Sequence, residues 1–441
     1  MLLSFRAANF RSLKDQQELD LRPVYTKERE ALSVAAIYGA NASGKSNVLR
    51  GLRMMHDAVT EQVRHWQPSH ALPHDPFLLD GKSKASPSSF AVDFIKNRVR
   101  YSYGFSIQEA KIVEEWLYSY PKGPRRVLFE REGAEYKIGS TVASSRIQLL
   151  QELVPEEQLF LTAAAKAKIE DVAPAFDWFQ NDLWFASHEF DNREVRLRYT
   201  RELLGDPLKS KQLQEILQAA DLGIKEVRPT SPTDVIFERV EGEGAPPSGA
   251  FRIDTSVDGV VRVLYNSKKP PKIDLSDISA LTSDRSVLFE HFGREAAAFP
   301  IDEESRGTRE WYAMIGFVLN ALTRGWTLII DELDTSLHPI LLAQAVRLFQ
   351  SPETNPRGAQ MIFTTHDVSL LGRQGGDEVL RRDEIWFVEK NPHGESSLFP
   401  LTDFKPRDGL NWEKRYMGGS VGAVPYVKHS LLVNAAAGRS E

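Results

Sequence analysis

The sequence predicts an α/β fold that carries an antiparallel β meander and a helical insertion. Near the N-terminus an apolar strand leads through a glycine-containing loop into an amphipathic helix. The same alternation of strands and helices returns from about residue 286 to the C-terminus. Between these segments, alternating apolar and polar residues predict antiparallel strands, and a helical periodicity follows them.

Composition limits the class of protein. The 441 residues are 41% hydrophobic and 26% charged, which is typical of a folded globular chain. With a net charge of −6, the chain as a whole does not have the positive electrostatic field of many nucleic-acid-binding domains. A local basic groove is compatible with this net charge. No apolar run reaches the roughly 18 residues of a membrane span, and Arg6 and Arg11 interrupt any secretory segment, so we expect a cytoplasmic protein. Without cysteine, catalysis must use oxygen or nitrogen groups.

The first predicted domain covers residues 1–140. Apolar stretches at Leu2–Phe10 and Ser33–Tyr38 predict strands, and the second enters the glycine-containing loop directly. After Lys45, apolar residues recur at helical spacing, which predicts a long helix with one buried face. From Phe90 to Glu132 the alternation has a period of two, which predicts the antiparallel meander.

The second predicted domain, residues 141–285, is a helical or mixed insertion, and the third covers residues 286–441. Helices are expected in the insertion at Gln148–Leu153, Glu157–Lys168, Ala173–Trp184 and Leu213–Ala220. The third domain alternates helices with buried strands, expected at Thr308–Leu322 (helix), Trp326–Ile330 (strand), after Pro339 (helix), and at Gln360–Thr364 and Glu384–Glu389 (strands).

A phosphate-binding loop is the most specific motif in the chain. The run Gly39-Ala40-Asn41-Ala42-Ser43-Gly44-Lys45-Ser46 follows a strand and opens a helix, where backbone N–H groups cradle polyphosphate. Lys45 is predicted to reach the β and γ phosphates of ATP, and the Ser46 hydroxyl to ligate Mg²⁺. A plain glycine turn before a core helix is the alternative. The predicted nucleotide-binding residues are Gly39, Asn41, Ala42, Ser43, Gly44, Lys45, Ser46 and Asn47.

Two acids end the predicted strand at 326–330. Asp331 and Glu332 would lie at the carboxyl edge of a parallel sheet, where ligands bind. Asp331 is predicted to hold the Mg²⁺ shell. Glu332 has the longer side chain and is predicted to polarise the attacking water. An acid pair at a helix N-terminus is the alternative explanation.

Two further motifs fit the same site. His366 follows the strand at 360–364 and is predicted to sense the γ phosphate as a catalytic residue, although a lone histidine is more often structural. Ser305 and Gly307 precede an amphipathic helix and present donors at its start. An ordinary helix cap is the alternative for that segment.

In order and spacing, these motifs resemble the ABC/SMC/RecF-type P-loop ATPases, in which a long insertion separates the phosphate loop from the later motifs. Four stretches resemble the RloA-type AAA-family ATPases more closely. They are Asn9-Phe10-Arg11-Ser12, the segment 331–339, Thr364-Thr365-His366-Asp367 and Gly418–Pro425. The resemblance covers both ends of the chain, whereas residues 140–280 match only loosely.

The resemblance implies properties that the residues alone do not. It implies an ABC/SMC-like head that sandwiches ATP in a homodimer, with Ser305 and Gly307 on the γ phosphate of the opposite subunit. Asp334 would lie at the interface between the two subunits, and Arg11 would contact phosphate. Arg306 departs from the family pattern, because it stands where the transporter signature has a glycine. It also implies an anti-phage defence subunit that controls an effector, either TOPRIM-like or another nuclease or toxin.

Two other functions stay open at the sequence level. A RecF-like repair ATPase would need a basic groove, and Arg193, Arg196, Arg198 and Arg201 are candidates for it, although nearby acids favour a solvated face. The other is a scaffold that binds ATP with little turnover. Glu332 argues against that scaffold because it supplies a candidate base.

Overall fold

The computed structural model describes residues 1–26, 28–64, 72–142, 145–186, 193–220, 223–229, 235–240, 245–247, 250–255, 261–267, 269–271, 287–295, 297–335, 337–405, 411–424 and 429–437. These residues fall into two compact units. The first contains residues 1–187, 321–334 and 346–441, and the second contains residues 188–320 and 335–345. None of the described helices is long and apolar enough to cross a membrane.

Strands and helices are numbered in chain order. The strands are β1 (Leu2–Ala8), β2 (Gln17–Asp20), β3 (Val34–Gly39), β4 (Ser88–Lys96), β5 (Val99–Gln108), β6 (Lys111–Tyr120), β7 (Arg126–Glu132), β8 (Glu135–Ile138), β9 (Leu183–Ala186), β10 (Ile224–Pro229), β11 (Val235–Arg239), β12 (Phe251–Thr255), β13 (Val261–Tyr265), β14 (Val287–His291), β15 (Ala297–Pro300), β16 (Thr327–Ile330), β17 (Gln360–Thr364), β18 (Arg373–Gln374), β19 (Asp377–Glu378), β20 (Ile385–Lys390) and β21 (Ser396–Pro400). The helices are α1 (Lys45–Arg64), α2 (Gly81–Lys84), α3 (Ser145–Leu153), α4 (Phe160–Lys166), α5 (Ala173–Asp177), α6 (Arg193–Leu204), α7 (Pro207–Ala219), α8 (Arg306–Arg324), α9 (Pro339–Gln350), α10 (Trp412–Met417) and α11 (His429–Ala436).

The predicted meander is present in the first unit as an antiparallel sheet with strand order β2-β1-β4-β5-β6-β7-β8. Directly opposed residues on one face, such as Phe5 and Val92, are buried in the core. The alternation that predicted these strands reflects the pleat, which places successive side chains on opposite faces of the sheet. In β5 both faces are buried along most of the strand. The α/β fold with an antiparallel meander is therefore confirmed.

A second sheet of the first unit carries the predicted motifs at one edge. Its strand order is β21-β20-β3-β17-β16-β9, in which β21 pairs antiparallel to β20 and the other neighbours are parallel. Strand β17 lies between β3 and β16. The carboxyl ends of these three strands are therefore neighbours, and each is followed by one of the polar motifs.

The stretch predicted as a helix at Ala173–Trp184 is wrong at its C-terminal end. The helical conformation, which ends as a π-helical turn, stops at Asp182, and β9 then joins the sheet parallel to β16. Trp178 and Phe179 are fully buried, and Trp178 stacks on Phe94 with ring centroids 4.3 Å apart. In a short apolar run, periodicity does not distinguish a helix from a strand. Here residues 183–186 form a strand because they pair with the edge strand β16. The described residues between 141 and 186, which were predicted to belong to the insertion, are part of the first unit.

The second unit contains helices and two small sheets. The sheets have strand orders β10-β14-β15 and β11-β13-β12. Helices α6 and α8 cross closely, since a Cβ on Gly316 would overlap Thr200, whose hydroxyl donates to the Tyr312 carbonyl at 3.2 Å. The insertion is therefore mixed rather than helical throughout. Its strands were missed because glycine and proline around them predicted loops.

Candidate functional site

The loop between β3 and α1 has the backbone shape of a phosphate cradle. Gly44 adopts φ +112°, a conformation that favours glycine, and a Cβ at this position would overlap the Ser396 and Ser12 hydroxyls. Ala42 also lies in the left-handed region at φ +61°, which costs free energy for a residue with a side chain. The loop is therefore held in a specific, partly strained conformation at a helix N-terminus.

A group of hydroxyls behind the loop holds this conformation. The Ser396 hydroxyl, at the start of β21, donates to the Ser43 carbonyl at 2.5 Å and lies 2.8 Å from the Ser12 hydroxyl. Asn47 donates to the same Ser12 hydroxyl at 2.7 Å. Ser396 was missed from the sequence because it lies about 350 residues from the loop and belongs to no local motif.

Lys45 is folded back onto its own loop. Its ammonium donates to the carbonyls of Gly39 at 2.9 Å and Ala40 at 3.2 Å, and lies 3.1 Å from Nε2 of His366. The residue is only 6% exposed. Burial lowers the pKa of Lys45, and the nearby charge of Asp331 partly offsets this effect. A ligand that brings negative charge would relieve the cost of burying this cation.

Asp331 lies against the start of helix α1. The Ser46 hydroxyl is 3.1 Å from Oδ1 of Asp331, and the Thr364 hydroxyl donates to the same oxygen. Two hydroxyls from two other chain segments therefore converge on one carboxylate. Two oxygen atoms of types that Mg²⁺ prefers, a serine hydroxyl and an aspartate carboxylate, meet at this point.

Glu332 is exposed at the same edge and adopts φ +54°. Its backbone N–H donates to the Thr364 hydroxyl at 2.7 Å, so one threonine orients both acids. A left-handed conformation at a non-glycine residue is uncommon and is concentrated at functional sites. The turn presents the Glu332 side chain to solvent beside the P-loop rather than burying it.

His366 is held by the turn that carries the acids. The backbone N–H of His366 donates to Asp334 Oδ1 at 3.2 Å. Burial lowers the pKa of His366, and the positive charge of Lys45 lowers it further, while the nearby acids act in the opposite direction. At neutral pH the imidazole is therefore uncharged and can accept a hydrogen bond from the Lys45 ammonium.

This contact predicts the titration of His366. In the nucleotide-free protein, NMR detection of the imidazole Cε1–H should give a midpoint below the ordinary histidine value of about 6.5. In a Lys45→Met variant the midpoint should rise, but only part of the way, because burial is the larger cause. A midpoint that is unchanged by the substitution would show that the two side chains do not meet in solution.

The remaining predicted residues have different environments. The Arg11 guanidinium pairs with Asp75 at 3.1 Å in the first unit. Ser305 belongs to the second unit, where its hydroxyl accepts from the Thr308 N–H at 3.1 Å and caps helix α8, while Gly307 lies in the first turn of that helix. The cap alternative for this segment is therefore realised, and a cap of this kind still leaves helix N–H groups for an anion.

The arginine cluster proposed for a basic groove is not a continuous exposed face. In the second unit Arg196 is 2% exposed and pairs with Glu310 at 3.4 Å. Arg198 is exposed, whereas the side chain of Arg193 lies outside the described residues. A buried, paired arginine stabilises the packing of its helix and is not free to bind a nucleic-acid backbone.

Comparison with known protein families assigns the chain to one of them. Residues 34–372 match the family model described as "AAA domain, putative AbiEii toxin, Type IV TA system", which covers more than half of the chain. The chain belongs to this AAA family. Membership confirms a P-loop ATPase domain of the AAA type, while the closer RloA-type assignment stays a prediction. A search of curated proteins found no match.

Solved structures of SMC heads are similar to this AAA domain protein. The SMC head domain from Thermotoga maritima is 12% identical, with 90% of this chain and 98% of that chain covered and a TM-score of 0.38. The Smc head from Pyrococcus furiosus, with an extended coiled coil and bound to the C-terminal domain of ScpA, is 13% identical, with 95% and 98% covered and a TM-score of 0.38. Another SmcHead, bound to the C-winged helix domain of ScpA, is 13% identical, with 94% and 99% covered and a TM-score of 0.43.

Proposed function

We propose that this AAA protein binds ATP with Mg²⁺ and hydrolyses it to ADP and phosphate. One observation carries the proposal: a buried lysine, a serine hydroxyl, an aspartate and a histidine from three neighbouring strand ends meet within hydrogen-bonding distance. Ser46 lies 3.1 Å from Asp331, and Lys45 lies 3.1 Å from His366. P-loop proteins that bind nucleoside triphosphates use this combination of a charged donor, backbone amides and an oxygen ligand pair.

The loop residues bind and orient the triphosphate. Backbone N–H groups of the segment 39–47 and the N-terminus of α1 supply fixed positive partial charge for the phosphates. Lys45 exchanges its bonds to the Gly39 and Ala40 carbonyls for bonds to phosphate oxygens, which are stronger acceptors because they are charged. The strained conformation of Ala42 and the positive φ of Gly44 are maintained by the serines behind the loop, so the cradle exists before the ligand arrives.

The residues present fit a magnesium ion that is shared with substrate. Ser46 and Asp331 together offer two oxygen ligands, and among the described residues no group of three or more His, Asp or Glu forms a separate metal site. Such a pair suits Mg²⁺, which commonly takes one or two protein ligands and fills its shell with phosphate and water. When bound, the ion would neutralise charge on the phosphates.

Two residues act on the reacting groups. Glu332 is exposed beside Asp331 and accepts a proton from the attacking water. His366 is neutral and hydrogen-bonds with the Lys45 ammonium in the nucleotide-free protein. When Lys45 turns toward the phosphates, His366 loses this contact and is placed to contact the γ phosphate. In this proposal the bond that breaks joins the γ phosphorus to its bridging oxygen, and the water oxygen replaces it.

The Mg²⁺ assignment predicts a change in metal dependence. Asp331→Asn should raise the Mg²⁺ concentration needed for half-maximal ATP hydrolysis by about tenfold or more, because the shell loses a charged ligand and the amide of asparagine binds Mg²⁺ weakly. Phosphate release measured across a Mg²⁺ titration tests this effect, with Asp377→Asn, an exposed aspartate of β19, as control. An unchanged Mg²⁺ requirement would remove Asp331 from the site.

We further propose that two such heads sandwich ATP and regulate a partner protein. Ser305 and Gly307 would meet the γ phosphate of a second copy, Asp334 would lie at the interface, and Arg11 would contact phosphate after leaving Asp75. The family description names a putative toxin of a type IV TA system for this kind of AAA domain itself. The resemblance to RloA-type ATPases is the basis for a partner such as a TOPRIM-like or other nuclease or toxin effector in antiviral defence. Light scattering with Mg²⁺-ATP should detect a dimer of a hydrolysis-deficient variant. A monomer under saturating ATP would contradict the sandwich.

A further inference from the structure

The outer face of the antiparallel meander carries a row of aromatic side chains that the proposed site does not use. Leu117 of β6 is fully buried in the core. Because successive residues of a strand point to opposite faces, Trp116, Tyr118 and Tyr120 lie together on the outer face. All three are half-buried. They form an aromatic strip about 13 Å long, because a strand rises about 3.3 Å per residue.

Small residues on the neighbouring strands form a floor beside this strip. Trp116 lies opposite Gly104 of β5. Gly104 lies opposite Ala91 of β4, which in turn lies opposite Arg6 of β1. A Cβ on Gly104 would overlap the Trp116 ring, so glycine at this position lets the indole pack onto β5. The result is a trough with an indole at one side, a guanidinium at the other and small residues between them.

The trough contains a cavity of about 280 Å³, whose lining includes Arg6, Ser102 and Trp116. The Nε of Arg6 is shielded from solvent and has no hydrogen-bond partner in the part of the chain that the structure describes. A terminal nitrogen of the same guanidinium lies 3.5 Å from Asp93. A buried N–H without an acceptor costs free energy, so a ligand that supplies an acceptor is favoured. The cavity therefore suits a single planar ring system with an acceptor on its edge.

Two exposed arginines lie beside the aromatic strip. The guanidinium carbon of Arg100 is 3.9 Å from the centre of the Tyr120 ring, and that of Arg125 is 4.7 Å from the centre of the Tyr118 ring. Neither guanidinium forms an ion pair with a residue that the structure describes. Both cations are therefore available to an anionic ligand that reaches this end of the trough.

The acids on the outer face do not cancel this positive charge. Four of them are paired with cations: Asp93 with Arg6, Glu130 with Lys137, and Glu18 and Asp20 with Arg22. Glu114 and Glu132 are exposed and lie opposite each other at the start of β6. They are about 20 Å from the arginine end of that strand. The positive charge is therefore concentrated at one end of the aromatic strip.

We propose that this trough binds single-stranded nucleic acid, with one unstacked base against Trp116 in the cavity and the phosphate backbone beside Arg100 and Arg125. Single strands expose both the faces of their bases and a charged backbone, and aromatic rings with nearby cations bind both. The Arg6 Nε–H donates to an acceptor on the edge of the base. In a double helix the bases are stacked inside and do not enter a cavity unless they are flipped out. The inference does not rest on the proposed ATP hydrolysis.

Fluorescence anisotropy of a labelled oligothymidylate of about 12 nucleotides, added to the full chain without ATP, tests the inference. Wild type should bind, and its affinity should fall with salt. The double variant Arg100→Gln/Arg125→Gln should lower the slope of log K against log salt by about 1.4, because each phosphate contact to a single strand contributes about 0.7. Trp116→Leu should weaken binding by about tenfold and leave the slope unchanged, because stacking releases no counterions.

Matched controls come from the same unit. Arg357→Gln removes an exposed arginine, and Trp184→Leu removes a half-buried tryptophan of β9. Both should bind the oligonucleotide as wild type does. Lys45→Met should do so as well, because the phosphate loop is not part of the trough. Thermal unfolding of each variant shows whether the binding temperature lies below its Tm, which separates a local loss of binding from a loss of folding.

Four results would overturn the inference. Wild type might fail to bind the oligonucleotide, or the trough and control variants could lose binding equally. Loss of binding in Lys45→Met would assign the strand to the phosphate loop. Thymidine monophosphate that competed as well as the strand would make the cavity a site for free nucleotides, and tighter binding of a duplex of equal length would exclude an unstacked base. None of these results bears on ATP hydrolysis, which phosphate release measures separately.

Discussion

Replacing Glu332 by glutamine is expected to lower kcat for ATP hydrolysis by about 100-fold or more while leaving ATP affinity nearly unchanged. Glutamine has almost the same shape but does not accept a proton from the attacking water at neutral pH. The backbone N–H of Glu332 stays bonded to Thr364, because that contact uses no side-chain atom of residue 332. The turn should therefore keep its conformation, and only the chemical step should suffer.

The experiment needs both a binding and a turnover measurement. Calorimetric titration with Mg²⁺-ATP gives the affinity, and single-turnover phosphate release gives the rate of the chemical step. Glu353→Gln is the matched control, because Glu353 is an exposed glutamate beyond the end of helix α9. If Glu332→Gln kept more than about a third of wild-type kcat, another group would have to activate the water. If it lost affinity as well, Glu332 would have to bind the nucleotide rather than act on water.

The sequence alone was sufficient to predict the centre of the candidate site. Lys45, Asp331 and His366 each follow an apolar strand, and the carboxyl ends of parallel strands meet at one edge of a sheet. Local patterns were therefore enough to predict that Lys45 and Asp331 lie close together, although about 290 residues separate them in the sequence. The Ser46–Asp331 contact agrees with that expectation.

What the sequence did not predict depends on contacts between distant segments. Ser396 touches the phosphate loop from the C-terminal part of the chain, and its residue type is not distinctive there. Strand β9 is four residues long and became a strand because β16 had a free edge. In each case the deciding free energy is tertiary packing or a nonlocal hydrogen bond, which a local pattern does not encode.

Replacing Lys45 by methionine is expected to separate ATP binding from the stability of the nucleotide-free protein. The ammonium binds the phosphates in the proposed function, so its loss should weaken ATP binding by about 100-fold, the upper range for hydrogen bonds to charged groups. The nucleotide-free protein should not lose stability. Burial lowers the pKa of Lys45, which means that the folded state disfavours the charged form relative to the unfolded chain. Methionine fills a similar volume without that cost.

Thermal unfolding with and without Mg²⁺-ATP measures both effects at once. For wild type, saturating ligand should raise Tm, since a ligand that binds only the folded state stabilises it by about 2.7 kcal/mol at 100 times its Kd. For Lys45→Met, Tm without ligand should equal or exceed that of wild type, and ATP at the same concentration should shift it little. Lys166→Met is the control, because burial also lowers the pKa of this lysine in helix α4. A full ATP-induced rise in Tm in Lys45→Met would mean that the phosphates bind elsewhere. A lower Tm than wild type without ligand would mean that the hydrogen bonds from Lys45 to the Gly39 and Ala40 carbonyls outweigh the cost of burying its charge.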